Sequence, residues 1–210
     1  MLHITNGSSV ALKQTNLPGD VIYWADVLHE GPVPAGLSLR ELSRIRERFL
    51  TDFYPEPAAL ESFVRAGDSS LAYLITGLRR HLEQFPGISN GLSRTERQML
   101  QVIAGGAHRF QEMFPAEQKM EESIFMGDTT FLCHLDRLQH SRIPLVVEDA
   151  DQRYELTEFG RAVLAGAEDH VAVNGIDRWL GGVYLRDGAP VWRWDSQNAR
   201  LRPSKQARSL

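Results

Sequence analysis

A dense series of helix caps and turns between Ser93 and Gly166 constrains the fold of this chain more than any other feature. Ser93 stands three residues before Glu96. At that spacing, the serine hydroxyl and the glutamate carboxylate both satisfy free N–H groups at a helix start. The helix that they begin is predicted to run to Ala104 and to end at the following pair of glycines. The sequence after it continues to alternate between helical patterns and turn signals.

The elements predicted in this region follow the order of a known fold. Asp128 is expected to cap the third helix and Thr157 the fourth. After the first helix, the predicted elements are helices over 110–122 and 128–142, strands over 144–148 and 153–156, and a helix over 158–165. Three helices, a hairpin and a helix make a winged helix-turn-helix, which we predict for residues 93–167. The core side chains expected on the third helix are Phe131, Leu132, Leu135 and Leu138.

The charge of this region argues against a simple DNA-binding role. Between Ser93 and His170 there are eight Lys and Arg residues against fourteen Asp and Glu residues, and the whole chain has a net charge of −4. Contacts with phosphates supply most of the non-specific affinity for DNA, and the acidic hairpin turn would oppose them. The third helix nevertheless carries side chains of types that can reach base edges. These candidates for nucleic-acid contact are Thr129, Arg137, Gln139, His140 and Arg142.

The amino-terminal region predicts a small Rossmann-like α/β unit over residues 1–57. Strands are expected over 2–5 and 21–24, with a helix over 10–17 between them. Strands joined by a helix in this way favour a parallel pair with a right-handed crossover. Further helices are expected over 38–53, 58–66 and 70–85, and residues 58–92 are interpreted as linking helices. The fold class predicted for the chain is therefore α/β plus mainly α.

Polar residues that follow the two predicted strands form a candidate ligand or catalytic site. Ligands of parallel α/β sheets bind beyond the carboxyl ends of the strands. The first group would stand at a helix N-terminus, where N–H groups can bind a small anion, although such residues also serve as plain helix caps. The second group places a histidine beside two carboxylates, which suits acid–base catalysis but also an ordinary turn. The candidates are Asn6, Gly7 and Ser8 after the first strand, and Asp26, His29 and Glu30 after the second.

Other classes of site find little support in the sequence. It has no Gly-x-Gly-x-x-Gly fingerprint and no P-loop, so nucleotide cofactors of those classes are disfavoured and the cofactor is left unknown. No metal site is predicted, because no His, Asp or Glu residues have a reliable ligand spacing. The single cysteine, Cys133, excludes a disulfide framework and is interpreted as a core thiol on an apolar helix face. Without a signal peptide or an apolar span in the sequence, the expected location is the cytoplasm.

The carboxyl-terminal region predicts a helix and a hairpin over residues 168–195, followed by a basic tail. Val183–Leu185 and Val191–Trp194 are expected to pair across a turn that contains Asp187 and Gly188. Residues 196–210 contain four Arg and Lys residues and no acidic residue, and are expected to be disordered.

Several runs of residues resemble the bacterial family called domain of unknown function 1835. The runs from Leu2 to Ser8 and from Trp24 to Pro34 carry the resemblance, and the part from Asp26 to Pro32 is its most specific element. The runs 79–86, 91–98 and 174–182 are similar to the same proteins. The resemblance implies an architecture without an established activity. It also implies that the characteristic site of the family contains His3, Asn6, Gly7, Ser8, Asp26, Glu30, Gly31 and Pro32.

The chain departs from this family in the length of its α/β region. Members of the family usually continue with further strands, whereas residues 53–57 here lead almost directly into helices. Two parallel strands alone make a weak sheet, so any activity of the family is in doubt for this chain.

Three hypotheses of function follow from the sequence. The first is an adaptor that responds to a small anionic ligand or binds a protein partner. The second is a transcription regulator that contacts duplex DNA through the third helix of the winged helix. The third is a hydrolase-like or nucleotide-handling enzyme that uses the amino-terminal cleft. The sequence leaves the oligomeric state open.

Overall fold

The structure of the chain is a computed structural model that describes residues 2–5, 9–12, 57–67, 74–123, 126–180 and 183–204. These residues form helices and small antiparallel strand pairs, so the coarse α/β class is confirmed. The chain divides into two compact units. The first contains residues 1–82 and 177–185, and the second contains residues 83–176 and 186–210.

The helices are α1 Pro57–Ala66, α2 Leu74–Leu82, α3 Arg94–Ala104, α4 Phe110–Gln118, α5 Asp128–Gln139, α6 Glu158–Leu164 and α7 His170–Asn174. The strands are β1 Leu2–Thr5, β2 Ser9–Leu12, β3 Val146–Glu148, β4 Tyr154–Leu156, β5 Asp177–Leu180, β6 Val183–Arg186, β7 Trp192–Asp195 and β8 Arg200–Pro203.

The described amino-terminal residues form two antiparallel strands instead of the expected strand and helix. The first strand is confirmed, but β2 occupies Ser9–Leu12 and pairs antiparallel with β1, with Thr5 opposite Ser9. The helix predicted over 10–17 is therefore wrong where the structure describes it. The sequence offers a competing signal, since Asn-Gly between two short apolar runs is a strong hairpin pattern and Val10 is β-branched. The strand predicted over 21–24 and the helix predicted over 38–53 lie outside the described residues.

Helices α1 and α2 of the first unit lie against each other. Leu60 and Val64 are buried on α1, at the spacing of one helix face. The helix predicted over 58–66 is thus confirmed, and α2 lies within the one predicted over 70–85. On α2, His81 is buried together with Leu78 and Leu82.

Burial has a large effect on the buried histidine of α2. It lowers the pKa of His81 from 6.5 to about 3, and the charge of neighbouring Arg80 contributes in the same direction. The folded chain therefore holds this imidazole neutral at pH values where an exposed histidine is charged.

In the second unit, α3 begins and ends where the sequence predicts. The Ser93 hydroxyl accepts a hydrogen bond from the Glu96 N–H at 3.2 Å, and the Glu96 carboxylate accepts one from the Ser93 N–H at 2.7 Å. Both residues are buried. This confirms the capping box and the helix that it begins, which ends at Ala104 before Gly105.

The core of the second unit is formed by α3, α4, α5, the β3–β4 hairpin and α6. Phe110 and Phe114 of α4 stack on each other, and both meet the ring of Phe131 of α5 edge-on. Around these rings pack Leu92, Met99, Leu100, Val102, Ile103, Met113, Met126, Leu135, Leu138, Leu145, Val146, Leu156 and Val163. One continuous core therefore fixes the three helices against the hairpin.

Helix α6 lies unusually close to the start of the hairpin. The Thr157 hydroxyl accepts the Gly160 N–H at 2.9 Å and donates to the Pro144 carbonyl at 2.7 Å. The Thr157 N–H donates to the Leu145 carbonyl at 3.0 Å. A Cβ atom at Gly160 would lie 2.1 Å from that same carbonyl oxygen, so only glycine fits there.

The carboxyl-terminal strands exist but pair differently from the prediction. Strand β6 pairs with β5, and β7 pairs with β8, so the predicted pairing of 183–185 with 191–194 is wrong. The Asp187-Gly188 turn is present, but the Asp187 N–H and carboxylate bond to the backbone of Ile176 instead. Gly-Gly at 181–182 is itself a hairpin signal and favours the observed β5–β6 pair.

The predicted disordered tail is also wrong in part, because residues 200–203 form β8. Alternation explains the strand: Leu201 is buried between the exposed residues Arg200 and Arg202. Arg202 also forms an ion pair of 2.9 Å with Asp195 on β7. Residues 205–210 lie outside the described part of the chain.

Residues 86–92, at the end of the stretch interpreted as linking helices, hold these last strands to the helices of the second unit. The Ile88 N–H donates to the Trp194 carbonyl at 3.0 Å, and the Trp194 N–H donates to the Pro86 carbonyl at 2.8 Å. The Arg193 guanidinium forms two hydrogen bonds, of 3.1 and 3.2 Å, with the Asp169 carboxylate. Gly91 has a φ of 74°, and a Cβ atom there would lie 2.6 Å from Asp169. Residues 86–92 are therefore a packed part of the second unit.

Replacing Gly160 by alanine tests the close approach of α6. We expect Gly160→Ala to lower the free energy of unfolding by about 3 kcal/mol, because the new methyl group meets a backbone carbonyl that cannot move away. Gly127→Ala is the matched control, since Gly127 has a φ of −83° and a methyl group there would meet no atom within 4 Å. Because Gly127 caps α5 and alanine is a poorer cap than glycine, the control should lose no more than about 1 kcal/mol. Equal losses in urea denaturation would contradict this account.

The pH dependence of stability tests the burial of His81. The unfolded chain binds a proton at this residue below pH 6.5, whereas the folded chain does so only near pH 3. The stability that the neutral imidazole contributes is therefore present above pH 6.5 and is lost as the pH falls towards 3. Between about pH 7 and pH 5, wild type should lose about 2 kcal/mol more than His81→Gln. Parallel pH profiles for the two proteins would show that His81 is not buried.

Candidate functional site

The third helix of the second unit, α5, has a buried side and an open side. Phe131, Leu135 and Leu138 face the core, at the spacing of a helix stripe. The opposite side, here called the outer face of α5, consists of Asp128, Thr129, Leu132, Cys133, Asp136 and Arg137, all exposed. This helix therefore presents six surface positions that its own core does not use.

The predictions for Leu132 and Cys133, two residues at the centre of α5, are both wrong. The sequence predicts Leu132 in the core, but 42% of its surface is exposed, and Cys133 is exposed instead of being a core thiol. The physical reason is the helical period: successive side chains are about 100° apart, so these two residues turn away from the stripe that begins at Phe131. In the sequence, Phe131, Leu132 and Cys133 form an unbroken apolar run, so residue type does not show which of them faces the core.

The cap of α5 also differs from the prediction by one residue. Gly127 occupies the cap position, and Asp128 is the first residue of the helix. The Asp128 carboxylate accepts hydrogen bonds from the N–H and the hydroxyl of Thr129, at 2.7 and 3.2 Å. Thr129, the first candidate for DNA contact, is thus bonded to a carboxylate.

Two further candidates for DNA contact are engaged with carboxylates. The Gln139 amide donates to the Glu148 carboxylate of β3 at 3.3 Å. The ring Nδ1 of His140 lies 3.0 Å from the Asp136 carboxylate, one helical turn earlier. Acidic groups therefore accompany the polar side chains along this surface, where a DNA phosphate would have to approach.

The residues that follow α5 are hydrogen-bonded to the short helix α7. The Asn174 side chain accepts from the Ile143 N–H at 2.8 Å and donates to the Ile143 carbonyl at 3.1 Å. The Arg142 guanidinium, another candidate for DNA contact, donates to the Val173 carbonyl. Of the five candidates, Arg137 is the one that is exposed on the outer face and bears a positive charge.

The tip of the β3–β4 hairpin is acidic, and one of its carboxylates, that of Asp149, stabilises the turn. The Asp149 carboxylate accepts the N–H groups of Asp151 and Arg153 at 2.8 and 2.9 Å. These hydrogen bonds, above all the one from the Arg153 N–H, hold the pKa of Asp149 below its usual value. This carboxylate therefore stays negative, which disfavours contact with phosphates.

A groove of about 530 Å³ lies beside the hairpin, and the sequence did not predict it. Apolar side chains of α3, β4 and α6 line it, and three polar residues accompany them. The polar lining residues are His108, Glu155 and Arg161. His108 contributes to the hairpin edge, because its ring Nδ1 lies 2.9 Å from the Tyr154 carbonyl and its own carbonyl accepts the Tyr154 N–H at 2.7 Å.

The amino-terminal candidates Asn6, Gly7, Ser8, Asp26, His29 and Glu30 lie outside the described residues. The structure does describe the element that follows Asn6, Gly7 and Ser8. The sequence predicts a helix that starts at Val10, and β2 occupies that position. The predicted helix start at Val10 is therefore wrong, while a ligand site at Asn6, Gly7 and Ser8 stays a prediction.

Two general findings concern the described part of the chain. It contains no group of three or more His, Cys, Asp or Glu side chains arranged to hold a metal ion. Among its helices, none has the length and apolar character that crossing a bilayer requires.

Comparison with known proteins gave no match. No protein-family model, no curated protein and no solved structure is significantly similar to this chain. The resemblance to the domain of unknown function 1835 family therefore remains a prediction from the residues that carry it.

Proposed function

We propose that this chain is a protein-binding adaptor in which residues 93–167 form a winged helix, with α5 as its third helix and β3–β4 as its wing. The order of α3, α4, α5, the hairpin and α6 supports this fold assignment. So does the common core that joins the three helices to the hairpin. In this proposal, the outer face of α5 contacts protein and not duplex DNA.

The observation that carries the proposal is the chemistry around the five candidates for DNA contact. Three of them, Thr129, Gln139 and His140, bond to or pair with carboxylates of Asp128, Glu148 and Asp136. A fourth bonds to a backbone carbonyl. Side chains that read bases need free donors, and a helix that docks into a groove needs cations near the phosphates. On the outer face of α5, Arg137 alone among the five candidates meets both requirements.

The same face has the composition of a protein contact. Leu132 exposes 42% of its surface beside the exposed thiol of Cys133, and charged side chains flank the pair. An apolar centre with a polar rim is the usual anatomy of a protein–protein interface. The responsive part of the adaptor would be the amino-terminal unit, through Asn6, Gly7, Ser8, Asp26, His29 and Glu30.

A photo-crosslinking residue in place of Leu132 tests this function in living cells. We expect benzoylphenylalanine at position 132 to give a discrete adduct with a protein that mass spectrometry identifies, because the side chain lies at the centre of the outer face. The same residue in place of Ala104, an exposed position at the end of α3, is the control and should not give that adduct.

Two results would contradict the proposed function. One is an adduct at position 132 that nuclease removes, which would show contact with nucleic acid. The other is a gel shift of duplex DNA by the purified protein at micromolar concentration and low salt, lost in Arg137→Ala.

A further inference from the structure

The groove beside the hairpin has an apolar floor that the second unit supplies by itself. Ile103 and Ala104 lie on the last turn of α3, Leu156 ends β4, and Leu164 ends α6. The groove volume of about 530 Å³ is typical of sites that bind small molecules. An apolar group of a ligand would be removed from water on this floor, which favours its binding.

Two side chains of opposite charge line the same groove. Arg161 lies on α6 three residues before Leu164, and so on the same side of the helix, while Glu155 directly precedes Leu156 on β4. Both charged side chains are exposed, and within the described part of the chain neither forms an ion pair or a side-chain hydrogen bond. The groove therefore offers one cation and one anion to a ligand.

The outer edge of β4 adds backbone groups to this site. The Thr157 N–H donates to the Leu145 carbonyl at 3.0 Å, on the side of β3. Because the direction of the backbone groups alternates along an antiparallel strand, Leu156 directs its N–H and its carbonyl to the opposite edge. On that edge, two residues earlier, the Tyr154 N–H donates to the His108 carbonyl at 2.7 Å. Leu156 is the next position along the edge, and it lines the groove.

The remaining polar groups at the groove favour an ammonium. The ring Nδ1 of His108 lies 2.9 Å from the Tyr154 carbonyl, which can only accept, so Nδ1 carries the ring proton and Nε2 of the neutral ring is an acceptor. The last turn of α3, at Ile103 and Ala104, is the end of a helix that bears partial negative charge. These groups and Glu155 suit a cationic group, whereas Arg161 suits a carboxylate.

We propose that this groove binds a free α-amino acid with an apolar side chain. The carboxylate of the amino acid pairs with the Arg161 guanidinium, and its ammonium pairs with the Glu155 carboxylate. Its side chain packs on the floor that Ile103 and Leu164 form. The inference goes beyond the proposed function, because it assigns a ligand to residues that the proposed function does not use.

The exposure of the two charged side chains predicts a modest affinity. Ion pairs at exposed positions contribute little to binding, because water screens them. We therefore expect a dissociation constant of about 0.1–1 mM for leucine, which is suited to sensing a metabolite that is abundant.

Titration with leucine and three related compounds tests the recognition chemistry. N-acetyl-leucine lacks the ammonium, leucinamide lacks the carboxylate, and glycine lacks the apolar side chain. Binding is followed by the amide chemical shifts of the isotope-labelled full chain. Leucine should bind saturably, and each of the other three compounds should bind about fivefold or more weakly, since each loses one contact.

Two substitutions assign the two ends of the ligand. Arg161→Gln should weaken the binding of leucine about fivefold and should not weaken that of leucinamide, which has no carboxylate to lose. Glu155→Gln should weaken the binding of leucine and should not weaken that of N-acetyl-leucine. Arg137→Gln is the matched control, since it makes the same change at an exposed arginine of the outer face of α5, and it should bind leucine like wild type.

The crossed pattern of variants and compounds supports the proposal, and three results overturn it. One is leucine that shows no saturable binding up to about 20 mM. Another is binding that both substitutions leave unchanged. The third is a variant that weakens every compound equally, because its charge would then act on the fold and not on one end of the ligand. None of these results alters the photo-crosslinking test at position 132, which concerns a different surface.

Discussion

The close contact between α6 and the start of the hairpin holds the second unit in its observed arrangement. Gly160 allows the helix to reach the Leu145 carbonyl. The Thr157 hydroxyl hydrogen-bonds both to the Pro144 carbonyl, before the hairpin, and to the Gly160 N–H, in the helix. A larger residue at this point would push α6 away from β3. Since Leu145 and Val146 are fully buried in the common core, the hairpin and the helices would separate together. The contact therefore sets the spacing between α6 and the hairpin, on the same core into which Phe131, Leu135 and Leu138 turn the inner side of α5.

A second set of contacts involves several of the residues on which the predicted resemblance to the domain of unknown function 1835 family rests. Gly91 fits beside Asp169, and Ser93 and Glu96 form the capping box of α3. Asn174 binds the backbone of Ile143. These roles are structural in this chain: they join residues 86–92, α7 and the last strands to the helices. Residues of this kind can indicate a shared fold, and they provide no evidence of an activity.

Much of the second unit could be predicted from the sequence because its signals are local. A capping box needs only Ser93 and Glu96, and the Thr157 cap needs only the helix that follows it, so both predictions are confirmed. Strand pairing is not local. The Asp187-Gly188 turn is a valid signal, but Gly181-Gly182 provides a second one, and the partners of β6 and β7 are decided by distant backbone groups such as those of Ile176 and Pro86.

The candidate surface is harder to predict, because exposure depends on the helical period and not on residue type. Leu132 and Cys133 are apolar and lie next to a buried phenylalanine, so composition alone assigns them to the core. The charge count, by contrast, needs no structure, and the contacts of Gln139 and His140 with carboxylates agree with it. The amino-terminal prediction is wrong for another reason: one short segment carries both a helix-cap pattern and an Asn-Gly hairpin pattern, and β2 follows the second.

In the described part of the chain, the outer face of α5 is exposed and lies opposite the side that packs into the core. The rate at which Cys133 reacts with a thiol reagent measures this most directly, because the single cysteine of the chain lies at the centre of that face. In dilute native protein, we predict a rate close to that of the same protein in denaturant. A thiol that reacts only after unfolding would show that the face is covered by the chain, and would contradict the account.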